Sequence, residues 1–216
     1  MALLDGPRAA PASRQPARQL VVMLHGVGAD GADLIGLAPL LAQALPDAAF
    51  VAPNAPEPCD MAPFGYQWFS LQDRQPSKLL AGVQTAAPLL DAFIDAELAR
   101  HSLNDDRLAV LGFSQGTMMA LYTAPRRPRA CAAVLGYSGA LLGAELLPDE
   151  IRSKPPVLLI HGDADTIVPV GASRLAEEGL RAAGVPVEGQ IRPGLAHGID
   201  PEGIALGAAF LKTHLG

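Results

Sequence analysis

Sulfur is scarce in this 216-residue chain, which carries two cysteines, Cys59 and Cys131. A single pair so widely spaced sets neither a metal-ligand pattern nor a disulfide framework. Both are expected to be reduced thiols in a cytoplasm. Basic charge is also in short supply. Lys and Arg number 16 against 22 Asp and Glu, a net charge of −6, which argues against nucleic acid or an anionic membrane as partner. The one basic cluster, Arg126-Arg127-Pro128-Arg129, reads as a solvated helix end, where cations suit the helix dipole. No apolar run approaches the ~20 residues that cross a bilayer. Residues 1–7 lack the charged and apolar regions of a secretory signal. Stable membrane insertion is therefore not expected.

What is present is apolar: half of the residues are hydrophobic, enough for a sizeable core in one domain spanning 1–216. Residues 19–25 (QLVVMLH) form a continuous apolar run, the pattern of a strand buried on both faces. Further strands are expected at 48–52, 107–113, 131–137, 157–161 and 187–192. Helices are expected at 32–45, 79–102 (with Pro88 as a kink or break), 173–183 and 201–215. Strands alternating with helices at this spacing mean a mostly parallel sheet covered on both faces. Strand-end loops then gather at one edge, where ligands bind in such sheets.

Gly112-Phe113-Ser114-Gln115-Gly116 joins the 107–113 strand to a helix-prone stretch. A G-x-S-x-G in this context is a candidate turn that exposes a nucleophilic serine. A serine hydroxyl needs a base, and the base an orienting acid. Where the nucleophile sits on such an elbow, the acid and then the histidine follow it in the chain. Three histidines lie beyond Ser114: His161, His197 and His214. His161 precedes the candidate acids, and His214 lies three positions from the C-terminus on a helix end prone to fraying. His197, in a loop between the last strand and last helix, is the candidate base. Asp163 and Asp165 both follow the 157–161 strand. Asp165 lies further into the loop and is the favoured acid, with Asp163 a turn-forming residue.

Acyl transfer also needs backbone donors for an oxyanion. Gln115 supplies one N–H, and Val27, in the loop His25-Gly26-Val27-Gly28, is the candidate for the other. The same loop contains Gly26, Gly28 and Gly31 in the G-x-G-x-x-G spacing of a dinucleotide site, which suggests a nucleotide-binding oxidoreductase as the alternative. That fingerprint expects an acid at the end of the next strand; Asn54 stands there instead. Residues 53–77 show no strand or helix period, and a loop of that length is usually functional. Phe64, Tyr66, Trp68 and Phe69, four of the chain's ten aromatics, fall in it. They are candidates to line an apolar acyl groove or to anchor the loop to the core. Ser138 is expected to shape a loop beside the site, His25 to be a hydrogen-bonded strand-end residue, and His101 a helix-end cation.

Together Leu24-His25-Gly26-Val27-Gly28, Gln67-Trp68-Phe69, Gly112-Phe113-Ser114-Gln115-Gly116, His161-Gly162-Asp163-Ala164-Asp165 with Val168-Pro169, and Ala196-His197 resemble the phospholipase/carboxylesterase family of small α/β-hydrolases. The resemblance implies an α/β-hydrolase fold, and the expected strands and helices use up the chain, so no separate lid domain is expected. It implies a triad of Ser114, Asp165 and His197, with oxyanion donors at Val27 and Gln115. The expected activity is metal- and cofactor-free hydrolysis of small carboxylic esters, with lysophospholipids or acyl-protein thioesters as alternative substrates. Acyl chains of roughly four to eight carbons are expected to fit a shallow groove. The resemblance leaves a homodimer open. Thr117 stands where the family often has a further glycine, and Val27 where leucine is common.

Overall fold

The computed structural model describes residues 4–216. Among them the strands, in chain order, are β1 (Arg8–Ala9), β2 (Gln19–Leu24), β3 (Ala48–Val51), β4 (Glu57–Pro58), β5 (Tyr66–Gln67), β6 (Leu108–Phe113), β7 (Ala133–Tyr137), β8 (Val157–Gly162) and β9 (Val187–Arg192). The α-helices are α1 (Gly31–Ile35), α2 (Ala38–Leu41), α3 (Pro76–His101), α4 (Gln115–Thr123), α5 (Leu147–Glu150), α6 (Gly171–Ala182) and α7 (Pro201–Leu215). The main sheet has the order β1-β3-β2-β6-β7-β8-β9. Its pairs are parallel apart from β1 with β3.

The long apolar strands have no polar face because both faces are covered. Side chains alternate along β2, so Leu20, Val22 and Leu24 enter the core shared with α3, α4 and α6, while Val21 and Met23 enter the core shared with α2 and α7. The same split runs along β6, with Leu108 and Val110 on one side and Ala109 and Leu111 on the other. This is the α/β-hydrolase architecture expected from the sequence. The edge strand β9, VEGQIR, is mostly exposed and polar, which discourages pairing with another chain.

The structure departs from the sequence reading in several places. The helix expected at 32–45 is two short helices, α1 and α2. Pro39 has no N–H for the carbonyl of Ile35, and its ring crowds that carbonyl, so one continuous helix cannot form. Conversely α3 starts earlier than expected, with Pro76 in its first turn, and runs on through Pro88 to a left-handed Ser102. The loop 53–77 contains a small antiparallel ribbon, Glu57 against Gln67 and Pro58 against Tyr66; two residues per strand are too few to show a period. Finally, Arg127 is not solvated. Its side chain is 3% exposed and meets Asp91, Asp95 and Asp105.

Helix α3 is also long and apolar enough by composition to cross a membrane, contrary to the expectation that no run approaches that length. Its Val83, Leu90, Phe93 and Ile94 are buried in the core against the sheet.

Candidate active site

The loops that leave the C-terminal ends of β2, β6, β7, β8 and β9 meet at one edge of the sheet. Between β6 and α4 the chain reverses through Ser114, which has φ 55° and ψ −116°. A non-glycine residue in that region carries on the order of 1–3 kcal/mol of strain and persists only where its surroundings impose it. Here the glycines at either side impose it. A Cβ on Gly112 would lie 2.5 Å from the backbone of Gly116, and one on Gly116 would land on the carbonyl oxygen of Leu24. Only this pair lets α4 start directly against β2 and β6. The turn is tied to β7, since the Ser114 N–H donates to the Tyr137 carbonyl at 2.9 Å. The Thr117 hydroxyl donates to the same carbonyl at 2.8 Å.

His197, in the loop between β9 and α7, places Nε2 3.0 Å from Ser114 Oγ and Nδ1 2.7 Å from Asp165 Oδ2. An ionised carboxylate only accepts hydrogen bonds, so the Nδ1 contact requires the proton on Nδ1. Nε2 then faces the serine as an acceptor. Burial raises the pKa of Asp165, but hydrogen bonds from His197 and from the Val168 and Ile167 N–H groups outweigh it and hold the carboxyl below its ordinary value. The Phe113 ring lies 4.9 Å from the His197 ring, centroid to centroid.

The two aspartates of the β8 loop are used differently. Asp165 has a fully buried side chain, whereas exposed Asp163 accepts from the Gly194 N–H at 2.6 Å. Asp163 therefore ties the β8 loop to the turn that precedes His197. Arg192, at the end of β9, meets Asp200 at 3.0 Å, and Asp200 in turn caps α7 through the Gly203 N–H. That pair brackets the His197 loop from its other side and was not singled out from the sequence, where it reads as two surface charges. Ser138, left-handed with φ 50°, places its hydroxyl 3.4 Å from the Gly198 carbonyl.

The loop after β2 is fixed from below. His25 is buried, accepts from the Ala55 N–H at 3.0 Å and contacts the Gly26 carbonyl through Nδ1 at 2.7 Å. These partners require a neutral ring with the proton on Nδ1. Burial accordingly lowers the His25 pKa. Trp68 Nε1 donates to the His25 carbonyl at 3.0 Å. The Gln115 side chain accepts from the Trp68 N–H at 2.9 Å and donates to the Phe69 carbonyl at 2.7 Å. Among the described residues the N–H groups of Val27 and Gln115 have no protein acceptor, and both belong to loops that meet at Ser114.

The four aromatics do not act as a set. Trp68 and Phe69 are buried in the core and Tyr66 is half-buried, whereas Phe64 is 72% exposed. Tyr66 pairs with the β2 loop, its carbonyl accepting from Gly28 N–H and its N–H donating to Ala29, each at 2.8 Å. Trp68 and Phe69 anchor the loop to the core, one of the two readings left open by the sequence; a loop without a period does not show which of its side chains face inward.

The dinucleotide alternative finds no anion site here. Helix α1 is five residues long, and its N-cap Asp30 puts a carboxylate on the Asp33 N–H at 3.0 Å. A pyrophosphate would meet that negative charge, and the Gly31 N–H is already bonded to Asn54 at 2.9 Å.

The phospholipase/carboxylesterase family matches residues 8–215. The chain belongs to this family. It is 29% identical to Esterase YpfH of Escherichia coli over 86% of this chain and 78% of that protein. It is 30% identical to Acyl-protein thioesterase 1 of Saccharomyces cerevisiae over 98% of this chain and 99% of that one. Among solved structures, the crystal structure of esterase PE8 superposes with a TM-score of 0.95 at 44% identity, covering 99% of this chain and 100% of the other. The protein is thus an esterase-family hydrolase with the α/β-hydrolase fold.

Proposed function

We propose that Ser114, His197 and Asp165 form the catalytic triad of a serine carboxylesterase, acting on small esters through an acyl-enzyme. The observation that carries this reading is the unbroken hydrogen-bonded chain from Ser114 Oγ through His197 to Asp165, at 3.0 and 2.7 Å. Ser114 Oγ attacks the ester carbonyl carbon while its proton passes to His197 Nε2. The carbonyl oxygen becomes an oxyanion beside the Val27 and Gln115 N–H groups. His197 then returns the proton to the departing alkoxide as the C–O bond breaks. Water, deprotonated by the same ring, attacks the acyl-enzyme and releases the acid and the free serine. Asp165 keeps the ring in the tautomer this sequence needs and stabilises the imidazolium that forms.

For the acyl group we favour roughly four to eight carbons. The connections between strands insert no further domain over the serine among the described residues, and Phe64 is the exposed aromatic of the 53–77 loop, next to the strand that pairs with the β2 loop. Trp68 reaches the site only through the His25 carbonyl and the Gln115 side chain. Phe64→Ala is therefore expected to weaken octanoate esters more than acetate, and Trp68→Ala to weaken all chain lengths alike. The yeast relative's name favours a second reading, an acyl thioester substrate, for which the same chemistry serves. Measuring kcat/KM for acetate, butyrate, octanoate and palmitate esters beside a butyryl thioester tests both; a palmitate or thioester preference overturns the short-ester assignment. Free thiols at Cys59 and Cys131 support a cytoplasmic setting. Burial pushes the Cys131 thiol up to about 12, which keeps it out of the chemistry.

A further inference from the structure

A second histidine stands behind the acid. His161, at the end of β8, is buried with a side chain 1% exposed. Its Nε2 lies 2.8 Å from the Val168 carbonyl and 3.3 Å from Asp165 Oδ2. A carbonyl cannot donate, so Nε2 must carry the proton and give it to Val168, with Asp165 Oδ2 lying beside it. Asp165 Oδ1 meanwhile accepts from the Ile167 and Val168 N–H groups, each at 2.9 Å. The segment 165–168 is thereby closed as a ring of contacts in which each end is fixed by the other. Within that ring His161 is the donor that fixes the Val168 carbonyl, and it borders Oδ2, the oxygen that receives His197 Nδ1.

We propose that His161 is a positioning residue for the triad: its Nε2–H holds the Val168 carbonyl, and with it the 165–168 turn that grips Asp165 Oδ1, in the one orientation that lets Oδ2 meet His197. This rests on the triad reading above. Without the clamp the Val168 carbonyl loses its partner, the 165–168 turn that holds Oδ1 shifts, and Oδ2 moves off the His197 Nδ1–H direction. A displacement of about 1 Å at a group that orients a base can cost on the order of a hundredfold in rate. Binding of the ester is untouched, because His161 lies beyond Asp165 from the serine. The expected loss therefore falls on kcat.

Two amides of different reach separate positioning from packing. Gln places its terminal amide near Nε2 of the imidazole, whereas Asn ends short of it, near Nδ1. His161→Gln is expected to stay within about fivefold of the wild-type kcat, and His161→Asn to lose about ten- to a hundredfold with KM changed by less than about threefold. The proton resonance of His197 Nδ1–H should persist in the Gln variant and broaden or move upfield in the Asn variant. Equal kcat in the two variants, or a loss carried by KM, overturns the proposal. So does an Asn variant that retains the wild-type resonance. Wild-type protein and Ser114→Ala, assayed on the same butyrate ester, keep the two readings apart. Turnover that survives Ser114→Ala refutes the triad itself, whereas a serine-dependent wild type with no Gln–Asn difference refutes only the role of His161.

Discussion

Two buried carboxylates, Asp165 and Asp105, sit at opposite ends of the central strands and are treated in contrasting ways. Asp165 follows the C-terminal end of β8, has a fully buried side chain and is paired with His197. Asp105 precedes β6, is 2% exposed and is paired with Arg127 and Arg129 at 2.8 Å each. Burial raises the pKa of both, and hydrogen-bonding partners outweigh it, so both lie below the ordinary value. The partners differ in kind. An arginine is charged at every working pH, so the Asp105 pair is permanent and static. An imidazole gains its charge only when it takes a proton, so under the proposed triad the Asp165 pair is strongest at the moment Ser114 gives one up. One end of the sheet uses a buried acid to fix the fold, and in the proposed mechanism the other uses one to stabilise a transient cation.

The contrast breaks most sharply at the nucleophile. Ser114→Ala should lower kcat by on the order of 10⁶-fold for groups that act as a unit, with stability in urea unfolding within about 1.5 kcal/mol of the wild type, since its side chain loses one hydrogen bond, to His197. Asp165→Asn should follow with about a 10⁴-fold loss in kcat, because an amide favours the wrong tautomer of the ring; Asp163→Asn, which loses only a loop contact, should lose far less. The opposite pair inverts the pattern. Removing one partner of a buried ion pair costs about 3–5 kcal/mol. Arg127→Met is therefore expected to lower stability by that much in urea unfolding while kcat per folded molecule stays within about threefold of wild type. A large kcat loss there, at unchanged stability, would erase the distinction.

Acid sharpens the comparison more gently. His25 has a lowered pKa in the fold, so the unfolded chain takes up its proton first as pH falls below about 6.5, and stability declines from there. Asp105 and Asp165 are lowered as well; their contribution is full above the unfolded carboxylate value of about 3.9 and is lost as pH falls through the folded values. Urea midpoints measured from pH 8 to 3 should show both declines. In His25→Gln the earlier one should disappear and the later one remain. A single decline confined below pH 4 in the wild type would show that His25 is protonated in the fold.

Much of the site end was legible because its signals are local. Gly112 and Gly116 flank Ser114 within five residues, and steric necessity alone fixes what such a turn must look like. The strands β2, β6 and β8 are continuous apolar runs, a pattern that burial on both faces produces. Chain order set aside His161, and the fraying C-terminal helix end set aside His214, which left His197 as the candidate base. The other end was hidden because its logic is not local. Arg127 reads as one charge in a basic run, and only the approach of α3 to the β6 end brings Asp91, Asp95 and Asp105 around it. Likewise Pro39 divides a helix that the apolar spacing of 32–45 joins, and the inward turn of Trp68 follows from the Gln115 side chain, 47 residues away in the chain. His161 was set aside for standing before the acid, which rules it out as the base and says nothing of a supporting role.

Labelling with a fluorophosphonate tests the central claim most directly. The reagent should phosphonylate Ser114 alone, as mapped by peptide mass spectrometry, with esterase activity lost in proportion to one label per chain, and Asp165→Asn and His197→Ala should be labelled far more slowly. Activity that survives full labelling, or a label on any residue other than Ser114, would contradict the account.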